Sequence, residues 1–224
     1  MQLIALTGAK GAGKDTVADH LVRHHGFVRL AFADPLRDEI AAAFGVPLSM
    51  LTTPGRKEEP NALLALGRCP EPAFVDYLML SGDIPAPAQV APLSTQPWSA
   101  QPRSARWIMQ RWGDWRRWQD AHYFVDRLQD RIDTLPGRRI VITDVHLNPV
   151  PHQLIEVHFV KRQGLLWQVR RAGTGGLDQH ATEWPVPIQY IDQVLHNDST
   201  IPVLHRLADQ LLSEQRWPLS ETAA

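Results

Sequence analysis

Residues 8–16 of this 224-residue chain read GAKGAGKDT and directly follow the apolar run QLIALT. The first and last glycines and the second lysine of this stretch meet the phosphate-loop pattern G-x-x-x-x-G-K-[ST]. Asp15 occupies the hydroxyl position of that pattern, and Thr16 follows it. Because a glycine-rich turn entering a helix offers bare N–H groups and the positive end of the helix dipole, the stretch predicts a phosphate-binding loop.

The loop is expected to bind a nucleoside triphosphate. Lys14 would reach the β- and γ-phosphates, while Thr16, or Asp15 through a water molecule, would help to hold Mg²⁺. The residues assigned to the bound nucleotide are Gly8, Gly11, Ala12, Gly13, Lys14, Asp15 and Thr16. The alternative is an ordinary glycine-rich turn with an exposed lysine, and the strand and helix predicted on either side of the loop argue against it.

Strands and helices alternate in the predicted element order. Strands are expected at residues 3–7, 27–32, 139–144, 154–160 and 193–196. Helices are expected at residues 14–25, 34–45, 104–112 and 121–132 and again near the C terminus, with Asp34 as the N-cap of the second. This order is typical of an α/β fold in which helices cover both faces of a parallel sheet, as in the three-layer P-loop proteins. Gly8, Asp34 and Asp144 each follow a predicted strand, so we expect them near the carboxyl edge of the sheet, where ligands bind.

Composition excludes several classes of function. A formal net charge of -1 gives no long-range attraction for nucleic acid, and no apolar stretch approaches the ~18–20 residues that cross a bilayer. The N terminus lacks the features of a secretory leader, so a cytoplasmic protein without a membrane partner is expected. The single cysteine, Cys69, excludes an internal disulfide and is expected to serve packing. The ten histidines show no spacing such as H-E-x-x-H, so no dedicated metal site is expected.

Two arginine-bearing segments are candidates for binding the second substrate. If the segment beginning SARWIMQRW is helical, Arg106, Gln110 and Arg117 share one face, opposite an apolar face with Ile108, Trp112 and Trp115. A solvated face of an amphipathic helix is the alternative. Later in the chain, VRRAGTGGLDQHATEW places Arg170 and Arg171 beside glycines, as a mobile cover over phosphates would, with an ordinary surface loop as the alternative.

Several motifs occur together in one order. They are the Lys-Asp-Thr loop, FADPLR from Phe32, RKE from Arg56, SARWIMQRWGD from Ser104, Asp144 after a strand, Arg171, HATE from His180 and HNDS from His196. In this combination the chain resembles the bacteriophage deoxynucleoside monophosphate kinases, which belong to the nucleoside monophosphate kinase group of P-loop proteins. The resemblance covers most of the chain.

The resemblance implies that ATP, with Mg²⁺, phosphorylates a deoxynucleoside monophosphate to the diphosphate. It implies catalytic roles for Lys14, Arg170 and Arg171. The residues implied for the monophosphate are Lys10, Asp34, Arg37, Lys57, Arg106, Gln110, Phe124, Asp144 and His146. It further implies one kinase domain, residues 1–224, with a monophosphate-binding insert at 45–118 that holds the proline-rich stretch, and a lid-like segment at 161–185.

Three departures from the family pattern leave the preferred base open. His146 and Val150 stand where the family commonly has an arginine and a glutamate, and Phe124 stands where it tends to have tryptophan. The sequence also leaves open how strictly the 2′-deoxy sugar is required and the oligomeric state, a homodimer included.

Two other functions are compatible with the sequence. Phosphomevalonate-type kinases also resemble this chain in their Lys-Asp loop, so the acceptor could be another small phosphorylated or hydroxylated metabolite. A hydroxyl acceptor would require a general base. From a different class, the chain could be a non-catalytic nucleotide-binding switch or a nucleic-acid-associated module. The latter would use the arginine- and tryptophan-rich segment 107–118 to stack on single-stranded nucleic acid, although the near-neutral net charge argues against it.

Overall fold

The computed structural model describes residues 1–53, 55–86, 92, 95–147, 154–174, 185–215 and 217. The chain divides into two compact units, one formed by residues 1–32 and 125–224 and the other by residues 33–124. Val150 and the HATE motif, residues 180–183, lie outside the described residues.

The described elements are, in chain order within each class, seven strands and eight α-helices. The strands are β1 (Gln2–Thr7), β2 (Phe27–Leu30), β3 (Pro60–Asn61), β4 (Arg103–Ser104), β5 (Arg139–Ile142), β6 (Leu165–Arg170) and β7 (Gln193–His196). The helices are α1 (Lys14–His25), α2 (Ala33–Phe44), α3 (Leu48–Thr52), α4 (Pro72–Leu80), α5 (Ala105–Gln119), α6 (Tyr123–Asp133), α7 (Ile155–Gln163) and α8 (Ile201–Glu214).

The first unit is built on a five-stranded parallel sheet with strand order β2-β5-β1-β6-β7. In the register of the central strand β1, Ile4 pairs with Val141 on one side and Leu165 on the other. Residues 3–7 of this strand are all buried, as expected for a parallel strand covered on both faces. The prediction of an α/β fold with a parallel sheet is therefore confirmed.

Helices pack on both faces of this sheet. Ile4 and Leu6 belong to one apolar cluster with Leu21 of α1 and Leu204 of α8. Because successive side chains of a strand point to opposite faces, Leu3 faces the other layer. There the backbone after α7 passes so close that a Cβ on Gly164 would lie 2.5 Å from Leu3 Cδ2. The result is a helix, sheet, helix arrangement of three layers.

Two element predictions are wrong. Residues 154–160, LIEVHFV, were expected to form a strand but begin α7, and the next strand, β6, was not predicted at all. A short apolar run fits either a buried strand or a buried helix, and here it forms a helix with Glu156, Val157, Phe159 and Val160 all buried. In the sheet, the position beside β1 is taken by LLWQVR instead.

Several predicted boundaries are shifted by a few residues, and the start of α2 changes the role of Asp34. Helix α2 begins at Ala33, so Asp34 lies in the first turn of the helix and is not its N-cap. A carboxylate in the first turn still interacts favourably with the helix dipole.

The second unit contains α2 to α5 and a short antiparallel pair, β3 with β4. Its core includes Phe74 and Trp112, whose ring centroids are 4.7 Å apart, and Trp115 packs against both. Ile108, Trp112 and Trp115 are all buried, so the predicted apolar face of the α5 helix is confirmed. Burial raises the pKa of the Cys69 thiol to about 11, which keeps it neutral near pH 7 and fits a packing role.

The described part of the chain includes no helix with both the length and the apolar character needed to cross a membrane. The expected insert, residues 45–118, lies within the second unit, and its assignment as a subdomain stays a prediction. Within the expected lid-like segment, residues 161–185, the described part includes the end of α7 and β6, while residues 175–184 lie outside the description.

Candidate active site

The loop between β1 and α1 has the backbone that its glycines predict. Gly8, Gly11 and Gly13 have φ angles of 136°, 79° and 109°, a region that side chains other than glycine rarely adopt. The N–H of Ala12 donates to the carbonyl oxygen of Ala9 at 3.1 Å, which closes a turn just before the helix. The loop therefore leads directly into the N-terminus of α1, where backbone N–H groups have no intrahelical partner.

Lys14, the first residue of α1, folds back over this turn. Its Nζ donates to the carbonyl oxygens of Gly8 at 2.5 Å and Ala9 at 3.0 Å. These two bonds place an ammonium group against the loop at the positive end of the helix dipole. An arrangement of this kind attracts anions, and phosphate is the ordinary ligand of such loops.

Asn197 supports the loop from the segment after β7. Its Nδ2 donates to the carbonyl oxygen of Ala12 at 2.8 Å, and its backbone N–H donates to the carbonyl oxygen of Arg170 at 2.7 Å. A Cβ on Gly13 would lie 2.6 Å from the same Nδ2. Sequence analysis assigned no role to Asn197 beyond its place in the HNDS motif, because Ala12, its hydrogen-bond partner, is distant along the chain.

Asp15 and Thr16, both predicted to hold Mg²⁺, differ in their surroundings. Arg29 of β2 forms ion pairs with Asp15 and, at 3.0 Å, with Asp19. The Asp15 side chain is 76% exposed, so it points out from the helix. Thr16 is half-buried one position further along α1. The Asp15 carboxylate is therefore exposed and paired with an arginine, and the assignment of both residues to Mg²⁺ stays a prediction.

Asp144 lies at the carboxyl edge of the sheet, as predicted. Its Oδ1 accepts the backbone N–H of Phe32 at 2.8 Å, which ties the end of β5 to the segment after β2. Because β1 and β5 are parallel neighbours, Gly8 and Asp144 follow strands that end at the same edge. The backbone N–H of His146 donates to Glu156 Oε2 at 2.9 Å, and this buried carboxylate fixes the chain just beyond Asp144.

The three basic residues predicted around the phosphates are exposed residues of the first unit. Lys10 is exposed on the loop itself, and Arg170 is exposed at the end of β6, next to β1 in the sheet. Arg170 Nε donates to Gln168 Oε1 at 2.6 Å. Arg171 begins a turn in which Thr174 donates to its carbonyl oxygen through both its N–H and its hydroxyl group.

In the second unit, Arg106 is held by a carboxylate. Its Nε lies 2.8 and 2.9 Å from the two carboxylate oxygens of Glu58. Lys57, the neighbour of Glu58, and Gln110, one turn further along α5, are both half-buried. The RKE motif and the SARWIMQ helix therefore contribute to one charged cluster, although the sequence did not predict the Arg106–Glu58 pair.

Asp34, Arg37 and Phe124, which were also predicted to contact the monophosphate, belong to the second unit. Arg37 Nη1 and Asp34 Oδ1 form an ion pair of 2.8 Å one turn apart on α2. Phe124 is buried, and the guanidinium carbon of Arg117 lies 4.8 Å from its ring centroid. One face of the ring is thus covered by an arginine of the same unit.

Comparison with known proteins gives two partial similarities. The deoxynucleotide monophosphate kinase of Enterobacteria phage T4 is 44% identical over 46 residues, which are 20% of this chain and 19% of that protein. The putative deoxynucleotide monophosphate kinase of Acanthamoeba polyphaga mimivirus is 51% identical over 37 residues, 16% of this chain and 19% of that protein. No protein-family profile matches the chain.

The aligned segments span about a fifth of each curated relative. Over that part the chain is similar to proteins named as nucleotide kinases, and the activity of the whole chain is an inference from its own residues.

Proposed function

We propose that this protein is a kinase that transfers the γ-phosphoryl group of ATP to a deoxynucleoside monophosphate and releases ADP and the deoxynucleoside diphosphate. The observation that carries the proposal is the loop of residues 8–16, which places three positive-φ glycines and the Lys14 ammonium group directly before α1. The partial similarity to the two viral kinases supports the same reaction.

ATP is assigned to the loop. The backbone N–H groups of Gly11 and Gly13 would bind phosphate oxygens, while that of Ala12 holds the turn by donating to Ala9. Lys14 would exchange its carbonyl partners for the β- and γ-phosphates. Thr16, or Asp15 through water, would hold Mg²⁺ beside the loop. When bound there, the metal would supply positive charge to the phosphates.

The acceptor phosphate is assigned to Arg37, Arg106 and Gln110, with Lys10 and Lys57 adding positive charge. Such a phosphate has a second pKa of about 6, so near neutral pH its oxygen is already a nucleophile and needs no general base. The carboxylates in the site then act by holding other groups in position. Two contacts support this role, because Asp34 pairs with Arg37 and Asp144 binds the N–H of Phe32.

Transfer of the γ-phosphoryl group is assigned to Arg170 and Arg171 together with Lys14. A new bond forms between the acceptor oxygen and the γ-phosphorus while the bond to the β,γ-bridging oxygen breaks, and positive groups stabilise the charge on the transferring oxygens. Arg170 ends β6, the strand next to β1, and Arg171 follows it. Asn197 ties this strand end to the loop. Phe124 and His146 are assigned to the deoxynucleoside part of the acceptor.

A coupled ADP-release assay across the deoxy- and ribonucleoside monophosphates tests reaction and substrate together. We expect at least one deoxynucleoside monophosphate to stimulate ATP turnover strongly. Lys14→Met should lower turnover by several orders of magnitude, while Arg23→Met, on the exposed side of the same helix, serves as the control. If no monophosphate stimulates turnover, or if Lys14→Met is as active as the control, the proposal is wrong.

A further inference from the structure

Three side chains with metal-ligating atoms meet on the first unit, away from the loop. His20 and His25 of α1 place their Nε2 atoms 2.6 and 2.7 Å from Asp209 Oδ1 of α8. The candidate ligand atoms of the three residues all lie within 4.8 Å of one another. His20 is buried, and His25 and Asp209 are partly exposed, so the cluster is open to ions from solvent.

Two more imidazoles surround His20. The ring of His205 stacks on it with centroids 4.1 Å apart, and the ring of His24 lies at 4.8 Å. Four histidines and one carboxylate are therefore gathered between the second half of α1 and the middle of α8. An imidazole-rich site of this kind suits zinc and the other late divalent transition metals far better than Mg²⁺, which prefers oxygen ligands.

We propose that His20, His25 and Asp209 bind a divalent transition metal ion of the zinc type. Two imidazole nitrogens and one carboxylate oxygen form a ligand set that zinc uses, and a water molecule would complete a four-coordinate site. Tetrahedral zinc with bonds near 2.0–2.1 Å separates its ligand atoms by about 3.3 Å. To admit the ion, the two hydrogen-bonded N···O pairs, now 2.6 and 2.7 Å, would have to open by roughly 0.6–0.7 Å. The candidate nitrogen atoms of His20 and His25, which lie within 4.8 Å of each other, would have to reach the same separation.

The orientation of the rings favours a shared ligand. His20 and His25 both turn Nε2 toward Asp209 Oδ1, while His20 Nδ1 is buried without a hydrogen-bond partner among the described residues. A metal ion would take the place of the two hydrogen bonds that now join the imidazoles to Asp209.

The site is distinct from the proposed Mg²⁺ site. His20 lies six residues beyond Lys14 on α1, roughly 9 Å along the helix axis. The three proposed ligands of the transition metal ion join α1 to α8, two helices that pack in the same apolar cluster. The bound ion would stabilise this helix pair, and the stability of the protein would rise with metal concentration.

The test uses the full-length chain without a histidine tag, stripped with a chelator and titrated with Co²⁺ and with Zn²⁺. We expect one Co²⁺ per chain with the intense visible absorption of a four-coordinate ion, displaced by Zn²⁺ and not by Mg²⁺. Asp209→Asn and His25→Gln should each weaken Co²⁺ binding by about 10–100-fold or more. Zn²⁺ should raise the melting temperature of the unmodified protein and leave that of both variants unchanged.

Three control variants distinguish Co²⁺ binding at this cluster from Co²⁺ binding elsewhere on the protein. His122→Gln removes an imidazole in the second unit, Cys69→Ser removes the only thiol, and Lys14→Met impairs the proposed ATP site, so all three should bind Co²⁺ as the unmodified protein does. The far-ultraviolet circular dichroism spectrum checks that each variant is folded. The proposal is overturned if the unmodified protein binds no Co²⁺, if the spectrum is that of a six-coordinate ion, or if folded His25→Gln protein binds unchanged.

Discussion

The carbonyl oxygen of Val169 lies directly against Gly8, so that a Cβ on Gly8 would stand 2.2 Å from it. Val169 belongs to β6, which pairs with β1 in parallel, and the loop begins where β1 ends. Gly8 also has a φ of 136°, a conformation that side chains disfavour. The first glycine of the loop is therefore required by packing against the neighbouring strand as well as by the backbone conformation of the loop.

Gly8→Ala is expected to destabilise the protein by at least about 3 kcal/mol, since backbone strain and a backbone overlap add. Gly137→Ala is the matched control, because Gly137 also has a positive φ, 72°, but a Cβ there meets nothing within 4 Å. The control should cost only roughly 1–2 kcal/mol. Urea unfolding measures both changes, and equal losses would contradict the role given to Val169.

Thr16→Val should raise the Mg²⁺ concentration needed for half-maximal turnover by about tenfold, because it removes the proposed hydroxyl ligand with little change in size. Asp15→Asn should raise it much less, since Arg29 already engages that carboxylate. The measurement is ADP release against Mg²⁺ at fixed ATP. A larger effect of Asp15→Asn than of Thr16→Val would reverse the assignment of the metal ligand.

Arg106→Ala should raise the KM for the monophosphate by about 10–100-fold, as expected when a charge-assisted phosphate contact of roughly 1.5–3 kcal/mol is lost. Glu58→Gln should raise the same KM by a smaller factor, because Glu58 holds the Arg106 guanidinium at 2.8 Å. The KM for ATP should not change. Arg127→Ala, an exposed arginine of α6, is the control.

If the Arg106–Glu58 pair contributes to stability alone, the two variants will not show the increase in KM for the monophosphate. Both variants would then lower the unfolding midpoint alike and leave the KM for the monophosphate unchanged, which would remove Arg106 from the acceptor site.

The parts of the fold that were predicted correctly depend on local patterns. A buried strand, a glycine turn and a helical apolar stripe follow one another within residues 3–25, so β1, the loop and α1 could all be identified from neighbouring residues. The same holds for α5, where Ser104 caps the helix by accepting the N–H of Trp107 and the apolar face repeats at helical spacing.

The parts that were missed depend on contacts between distant residues. Asn197 reaches Ala12 across 185 positions, and Asp209 reaches His20 across 189, so no spacing along the chain could indicate either pair. The run at residues 154–160 was assigned to the wrong class because a short apolar segment has no clear period. Its buried Glu156 binds the backbone N–H of His146, a contact that the sequence does not indicate.

Glu39→Gln is expected to destabilise the second unit by about 1.5–3 kcal/mol, because charge-assisted hydrogen bonds are lost from a mostly buried carboxylate. Glu39 Oε2 accepts from Trp112 Nε1 at 2.9 Å and from Arg116 Nε at 2.8 Å, and Oε1 accepts from the Tyr123 hydroxyl. An amide keeps the size of the side chain but carries no charge for Arg116. Glu214→Gln, at the exposed end of α8, should change stability by less than about 0.5 kcal/mol.

Tryptophan fluorescence measures the urea unfolding of the Glu39→Gln variant, because Trp112 is both a partner of Glu39 and a central residue of the aromatic core. The variant should unfold at lower urea, and its loop-dependent ATP binding should be retained, since Glu39 lies in the second unit and the loop in the first. An unchanged midpoint would show that the three hydrogen bonds to Glu39 contribute no more in the folded protein than water does in the unfolded chain.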